Sequence, residues 1–127
     1  MSARRRTAAR ATSMLVALLA ACAPSAPPER EVLGGDPARG RRAIAAYGCG
    51  ACHVVPGIAG ARGRVGPSLA GLADRPYVAG RLPNVAPSLE AWVRHPRRID
   101  PQTIMPELGV TERDARDIAA FLYAGGR

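Results

Sequence analysis

The chain has 127 residues, with 18 basic side chains against 10 acidic ones and a formal net charge of +8. That length holds one small domain rather than two, and 14 Gly with 12 Pro exclude a collagen-like repeat and fall short of a low-complexity chain. One Trp, one Phe and three Tyr are few bulky residues for a core, and three Cys cannot close a set of disulfides, so a non-protein filler is expected and each cysteine is read individually.

Residues 1–21 read as an export signal. Arg4, Arg5, Arg6 and Arg10 form a basic region without an acid, and the apolar run at 13–23 carries Met14, Leu15, Val16, Leu18 and Leu19. Eleven residues are well short of the ~20 needed for a helix to cross a bilayer. The sequence Leu19-Ala20-Ala21-Cys22 resembles the lipobox of bacterial lipoproteins, which makes Cys22 the expected lipidation site and first mature residue. Cleavage after Ala23 is the alternative, but Pro24 then follows the cut and hinders signal peptidase. The three consecutive arginines match twin-arginine export only weakly. All 18 basic residues are Arg, and the high overall basicity suggests a nucleic-acid binder. Export removes the chain from nucleic acid, and from Cys22 onward only 14 Arg face 10 acids.

Residues 22–35, with Pro24, Pro27 and Pro28 and no apolar period, read as a tether. Extended at ~3.1 Å per residue, it spans up to ~40 Å from a membrane surface. The domain is expected over 36–127. Asp36-Pro37 supplies an N-cap and a first-turn proline, which predicts a helix through Tyr47 with Gly40 and Ile44 on one face.

Next comes Cys49-Gly50-Ala51-Cys52-His53, the Cys-x-x-Cys-His pattern of covalent c-type haem attachment. Cysteines three apart on a helical turn bring two thiols to the two vinyl groups along one porphyrin edge. Gly50 and Ala51 do not obstruct the approach, and His53 offers its imidazole to the iron. A thioredoxin-like dithiol would need a preceding strand, and zinc would need further Cys or His, of which His95 supplies one. Residues 54–87 hold six Gly and five Pro in 34 positions, too long a structureless stretch for a compact domain without a reason. A loop wrapped around a large cofactor, burying Val54, Val55, Ile58, Val65, Leu69 and Leu72 against it, supplies that reason. No strand alternation is evident.

A short helix is expected at 88–94, ended by Pro96. His95 follows it among Arg94, Arg97 and Arg98 and reads as a surface residue. Met1 and Met14 leave with the signal, so Met105 is the one mature methionine. It lies 52 residues after His53, where a chain wrapped once around the haem returns to the opposite face. Its thioether is the expected sixth ligand, with His95 as the rival, and raises the potential relative to a nitrogen ligand. The last helix is predicted at 111–125, with Thr111 and Asp114 as a capping box and Ala115, Ile118, Ala119 and Leu122 as its apolar stripe.

On these residues, 36–125 resembles the class I cytochrome c family. Gly48-Cys49-Gly50-Ala51-Cys52-His53, Arg62-Gly63-Arg64-Val65-Gly66-Pro67-Ser68-Leu69, Leu82-Pro83-Asn84, Leu89-Glu90-Ala91-Trp92-Val93 and Met105-Pro106 are most similar to the haem-c domain fused to subunit II of some haem-copper oxidases. The 127 residues carry neither a copper-binding module nor its membrane helices, so a stand-alone lipoprotein is expected. The resemblance implies an all-α fold with terminal helices crossing, Gly40 and Ile44 against Ile118 and Phe121, a middle helix, and long loops around one covalent haem. It implies that the Pro67 carbonyl accepts from His53 Nδ1–H, and that Arg64 and Trp92 bond the haem propionates. For Trp92, a core position in the middle helix is the competing reading. The implied function is single-electron transfer by a lipid-anchored monohaem protein on the periplasmic face of a bacterial inner membrane, with His53 and Met105 as axial ligands. A quinol-oxidising complex or dehydrogenase would be the donor and a terminal oxidase the acceptor. A dedicated haem subunit of an enzyme complex, and a sensor or peroxidase in which Met105 dissociates, are the alternatives.

Overall fold

The structure, a computed structural model, describes residues 31–125. The expected signal at 1–21, the expected lipidation site Cys22 and the expected tether up to residue 30 lie outside the described residues.

Helix α1 spans Pro37–Ala46. The Asp36 carboxylate accepts from the amides of Ala38 at 2.8 Å and Arg39 at 3.1 Å, and Pro37 opens the first turn, where no helical bond is lost. Helix α2 (Ala86–Arg94) starts two residues before the predicted position, because Pro87 is a first-turn residue rather than a barrier. Helix α3 (Pro96–Ile99) was not expected: Pro96 ends α2 and opens a single turn too short to show a period. Helix α4 (Glu112–Tyr123) is capped by the Thr111 hydroxyl, which accepts from Asp114 N at 3.1 Å, and Glu112 and Asp114 in its first turn suit the positive end of its dipole.

α1 and α4 cross at the core of the domain. A side-chain carbon on Gly40 would lie 2.0 Å from the Asp117 carbonyl oxygen and 2.9 Å from Phe121 Cβ, so backbone meets backbone there and only glycine fits. Ile44, Ile118 and Phe121 are fully buried alongside, and Val55, Leu72, Val78, Leu89, Val93, Val110 and Leu122 complete the core. Val32 packs against this core, so the last residues of the predicted tether join the fold.

The long loop is divided. Val55 and Leu72 enter the core, Ile58 and Leu69 are half-buried against it, and Val65 stays 64% exposed. A small antiparallel hairpin, β1 (Tyr77–Val78) and β2 (Leu82–Pro83), pairs Tyr77 with Pro83 and Val78 with Leu82. Its turn has positive φ at both Ala79 (52°) and Gly80 (67°), and Arg81 N returns to Val78 O at 3.0 Å. Two-residue strands carry no alternation for a sequence to display.

Two buried polar residues fasten these parts. Asn84 donates to the carbonyls of Leu72 at 2.7 Å and Arg75 at 2.8 Å and accepts from the Tyr123 hydroxyl at 2.9 Å, tying loop to α4. Asp117, 1% exposed, accepts from Asp36 N at 2.8 Å and from Arg39 at 2.6 and 2.9 Å, locking the start of α1 onto α4. The hydrogen bond from Arg39 holds the Asp117 carboxyl below the usual carboxylate range. Among the described residues no helix is long and apolar enough to cross a membrane.

Candidate haem-attachment site

The chain leaves α1 through Tyr47 and Gly48 and enters a 3₁₀ turn at Cys49–Ala51. The amides of Cys52 and His53 both donate to the Cys49 carbonyl, at 3.2 and 3.0 Å, which winds the two cysteines and the histidine onto one turn. Both thiols are free and half-buried. Burial pushes the Cys49 thiol up, so it is held in the uncharged form.

Residues 62–69 run back along this turn. Gly63 N donates to Gly50 O at 3.1 Å, Gly66 N to Cys52 O at 2.8 Å and Leu69 N to Val54 O at 2.8 Å, and Val54 and Arg62 form an antiparallel bridge. The strap delivers the Pro67 carbonyl to 2.7 Å from His53 Nδ1. A carbonyl oxygen only accepts, so Nδ1 carries the hydrogen and Nε2 keeps its lone pair for a metal. A side-chain carbon at Gly66 would sit 2.3 Å from His53 Cε1, so the imidazole lies directly over the glycine backbone. Arg75 braces the strap beyond Pro67, donating from Nη2 to Ser68 O and Ala70 O. This arrangement fits a covalent haem: two thiols on one turn, and an imidazole whose tautomer and ring orientation are both fixed by its one hydrogen bond to the Pro67 carbonyl. Zinc fits less well, since among the described residues no three His, Cys, Asp or Glu side chains are placed so as to hold a metal ion together.

The other predicted residues stand apart from this turn. Met105 is half-buried, and its amide donates to Thr103 Oγ1 at 3.2 Å. The same segment is pinned by Asp100, whose carboxylate accepts from Gln102 N at 3.1 Å and from Arg81 Nε at 2.9 Å. His95 is 39% exposed, with Nδ1 3.5 Å from the Glu107 carboxylate, two residues past Met105. Trp92 packs half-buried against the core. Arg64 is exposed and makes no hydrogen bond or ion pair among the described residues. His53 and Pro67 are thus in hydrogen-bond contact, while Met105, Arg64 and Trp92 make no such contact with them. The sequence reading missed Arg81, Asp100 and Thr103 as supports of the Met105 segment. Two of them had a local signal: Asp and Thr accept from the amide two residues on, which sets Asp100 before Gln102 and Thr103 before Met105 as turn formers, whereas Arg81 reaches Asp100 across 19 residues.

Comparison with known proteins agrees with this geometry. The cytochrome c family model matches residues 37–124. The chain is 32% identical over 85 residues to cytochrome c oxidase subunit 2 of Alkalihalophilus pseudofirmus, an alignment covering 66% of this chain and 24% of that protein. The chain therefore spans about a quarter of that relative's length. With the family match running from the first residue of α1 to just past the end of α4, the chain belongs to the cytochrome c family, electron-transfer proteins that carry covalent haem c.

Proposed function

We propose that this electron-transfer haem protein is a lipid-anchored carrier on the periplasmic face of a bacterial inner membrane. It takes single electrons from a quinol-oxidising complex or a dehydrogenase and passes them to a terminal oxidase. The observation that supports the haem-ligating part of this reading is the 2.7 Å contact of His53 Nδ1 with the Pro67 carbonyl, which leaves Nε2 free for iron. Bound haem supplies the one-electron Fe(III)/Fe(II) couple. Cys49 and Cys52 would hold it by thioethers, and His53 and Met105 would ligate its iron. With both side chains bound, the iron would serve electron transfer rather than substrate binding, and the soft thioether would favour a higher potential than a nitrogen ligand. Arg64 and Trp92 are the candidate propionate partners.

Cys22 is the proposed lipid site, and anchoring raises the effective concentration of the carrier near membrane partners. The ligand assignment is tested in the haem-loaded ferric protein. Met105→Ala loses the far-red sulfur-to-iron absorption and His95→Ala keeps it; the opposite pattern makes His95 the ligand. The anchor is tested by intact mass of detergent-extracted protein, which is expected to show acyl mass on a chain beginning at Cys22. Similarity to part of an oxidase subunit favours a second reading, a haem subunit fixed in an enzyme complex. Stable co-purification with one complex from detergent supports that reading, and recovery as free protein supports the mobile carrier.

A further inference from the structure

α1 and α4 enclose a groove on the flank of their crossing, beside the polar lock at Asp117. It has a volume of about 430 Å³ and is lined by Arg39, Arg42, Ala43, Ala46 and Tyr47 from the α1 side and by Arg113 and Asp114 from the first turn of α4. Positions 39, 42, 43 and 46 follow a helical stripe next to the buried Gly40 and Ile44, so two arginines stand over a floor of two alanines.

The charges in this groove are unequal and differently employed. Arg39 is committed to Asp117 and Asp36, so its guanidinium is fixed. Asp114 is occupied by the Tyr47 hydroxyl at 2.8 Å, a bond that pushes the Tyr47 phenol above its usual range. Arg42 and Arg113 make no hydrogen bond or ion pair among the described residues, though each has five donors in a planar fork. Three guanidiniums thus line the groove with one carboxylate. The positive end of the α4 dipole adds to the same potential.

We infer that this groove binds a phosphate group between Arg42 and Arg113. Phosphate oxygens can accept from two guanidinium forks at once, whereas one carboxylate satisfies a single fork bidentately. Arg39 adds charge without having to leave Asp117, and the alanine floor leaves room for a substituent on the phosphate. The group could be a free phosphate or a phospholipid headgroup, and the inference does not depend on the axial ligands or on the anchor.

The test uses the reduced, haem-loaded full chain in neutral detergent, with arginine Nε–H resonances followed by NMR at ionic strength held constant with sodium chloride. One arm titrates inorganic phosphate and the other sn-glycero-3-phosphoglycerol, the headgroup of phosphatidylglycerol without its acyl chains. Saturable shifts of Arg42 and Arg113 are expected, weakened about tenfold by either Arg42→Gln or Arg113→Gln. Arg41→Gln, a neighbour on α1 that instead donates to the Gly57 carbonyl at 3.0 Å, is expected to leave the affinity unchanged. Saturation by the headgroup alone assigns the site to lipid, saturation by inorganic phosphate alone assigns it to a free anion, and saturation by both upholds the shared chemistry. Shifts that stay linear in both arms, or an equal loss in Arg41→Gln, overturn the inference, since both describe diffuse surface charge. An unchanged visible haem spectrum in each variant establishes that the fold is retained.

Discussion

Replacing Gly40 by alanine sets two opposed effects against each other. In an open helix the change stabilises by about 1 kcal/mol, because glycine gives up more backbone freedom. Here the new carbon would lie 2.0 Å from the Asp117 carbonyl oxygen and 2.5 Å from the carbonyl carbon. That is roughly 1.4 Å short of ordinary contact, and no rotamer relieves it, because both partners are main chain. α1 must move off α4, and a gap of ~0.5–1 Å already forfeits a quarter to a half of the dispersion energy of the atoms facing it. Those atoms belong to Ile44, Ile118 and Phe121, the largest apolar side chains fully buried in the domain. Overpacking of this kind costs about 1–3 kcal/mol, and with the lost helix contact the net destabilisation of Gly40→Ala is expected at about 2 kcal/mol. For a domain of this size that lowers the thermal midpoint by roughly 8–16 °C. Urea unfolding of the haem-loaded protein followed by far-UV circular dichroism measures it, with Ala45→Gly on the exposed face of α1 as the propensity reference, expected to lose about 0.5–1 kcal/mol. A Gly40→Ala protein as stable as the parent, or more so, would refute the close crossing.

Four further outcomes follow from named contacts. Asn84→Ala is expected to destabilise by about 1–3 kcal/mol through loss of its bonds to Leu72 and Arg75, and Tyr123→Phe by about 1 kcal/mol. Because the two side chains share a bond, a double-mutant cycle in urea should give less than the sum. Asp117 has its carboxyl lowered in the folded state, so its contribution is fully present above the ordinary value of 3.8 and is lost as pH falls through the lower folded value. The stability gap between parent and Asp117→Asn, measured in urea, should therefore narrow below about pH 4. Gly66→Ala drives a methyl into the His53 ring and should remove the protected Nδ1–H resonance and shift the reduction potential, while Ala45→Gly on the exposed face of α1 leaves both in place. Arg81→Gln or Asp100→Asn unpins the Met105 segment, and the far-red ferric absorption should then vanish at a lower temperature than in the parent.

How far the sequence reaches depends on how local the determinant is. Asp36, Pro37 and Thr111 act within three residues of where they stand, so both terminal helices could be read, and the attachment turn is spelled out by five adjacent residues. Asp117 could not be read, because its partner Arg39 lies 78 residues away and an acid in α4 is expected to face water. The available hint was Gly40, whose absent side chain lets α4 backbone approach and so brings Asp117 over Arg39. Asn84 was visible only as part of a motif, since its role needs Leu72, Arg75 and Tyr123 in place. The same reasoning applies to charge. Total basicity pointed toward a polyanion, yet Arg39, Arg41, Arg75, Arg81 and Arg116 are already bonded to carbonyls or carboxylates of the same chain. Among the described residues, Arg42, Arg62, Arg64, Arg97, Arg98 and Arg113 form no such bond, and it is their arrangement, rather than the net figure, that determines which anions this surface can meet.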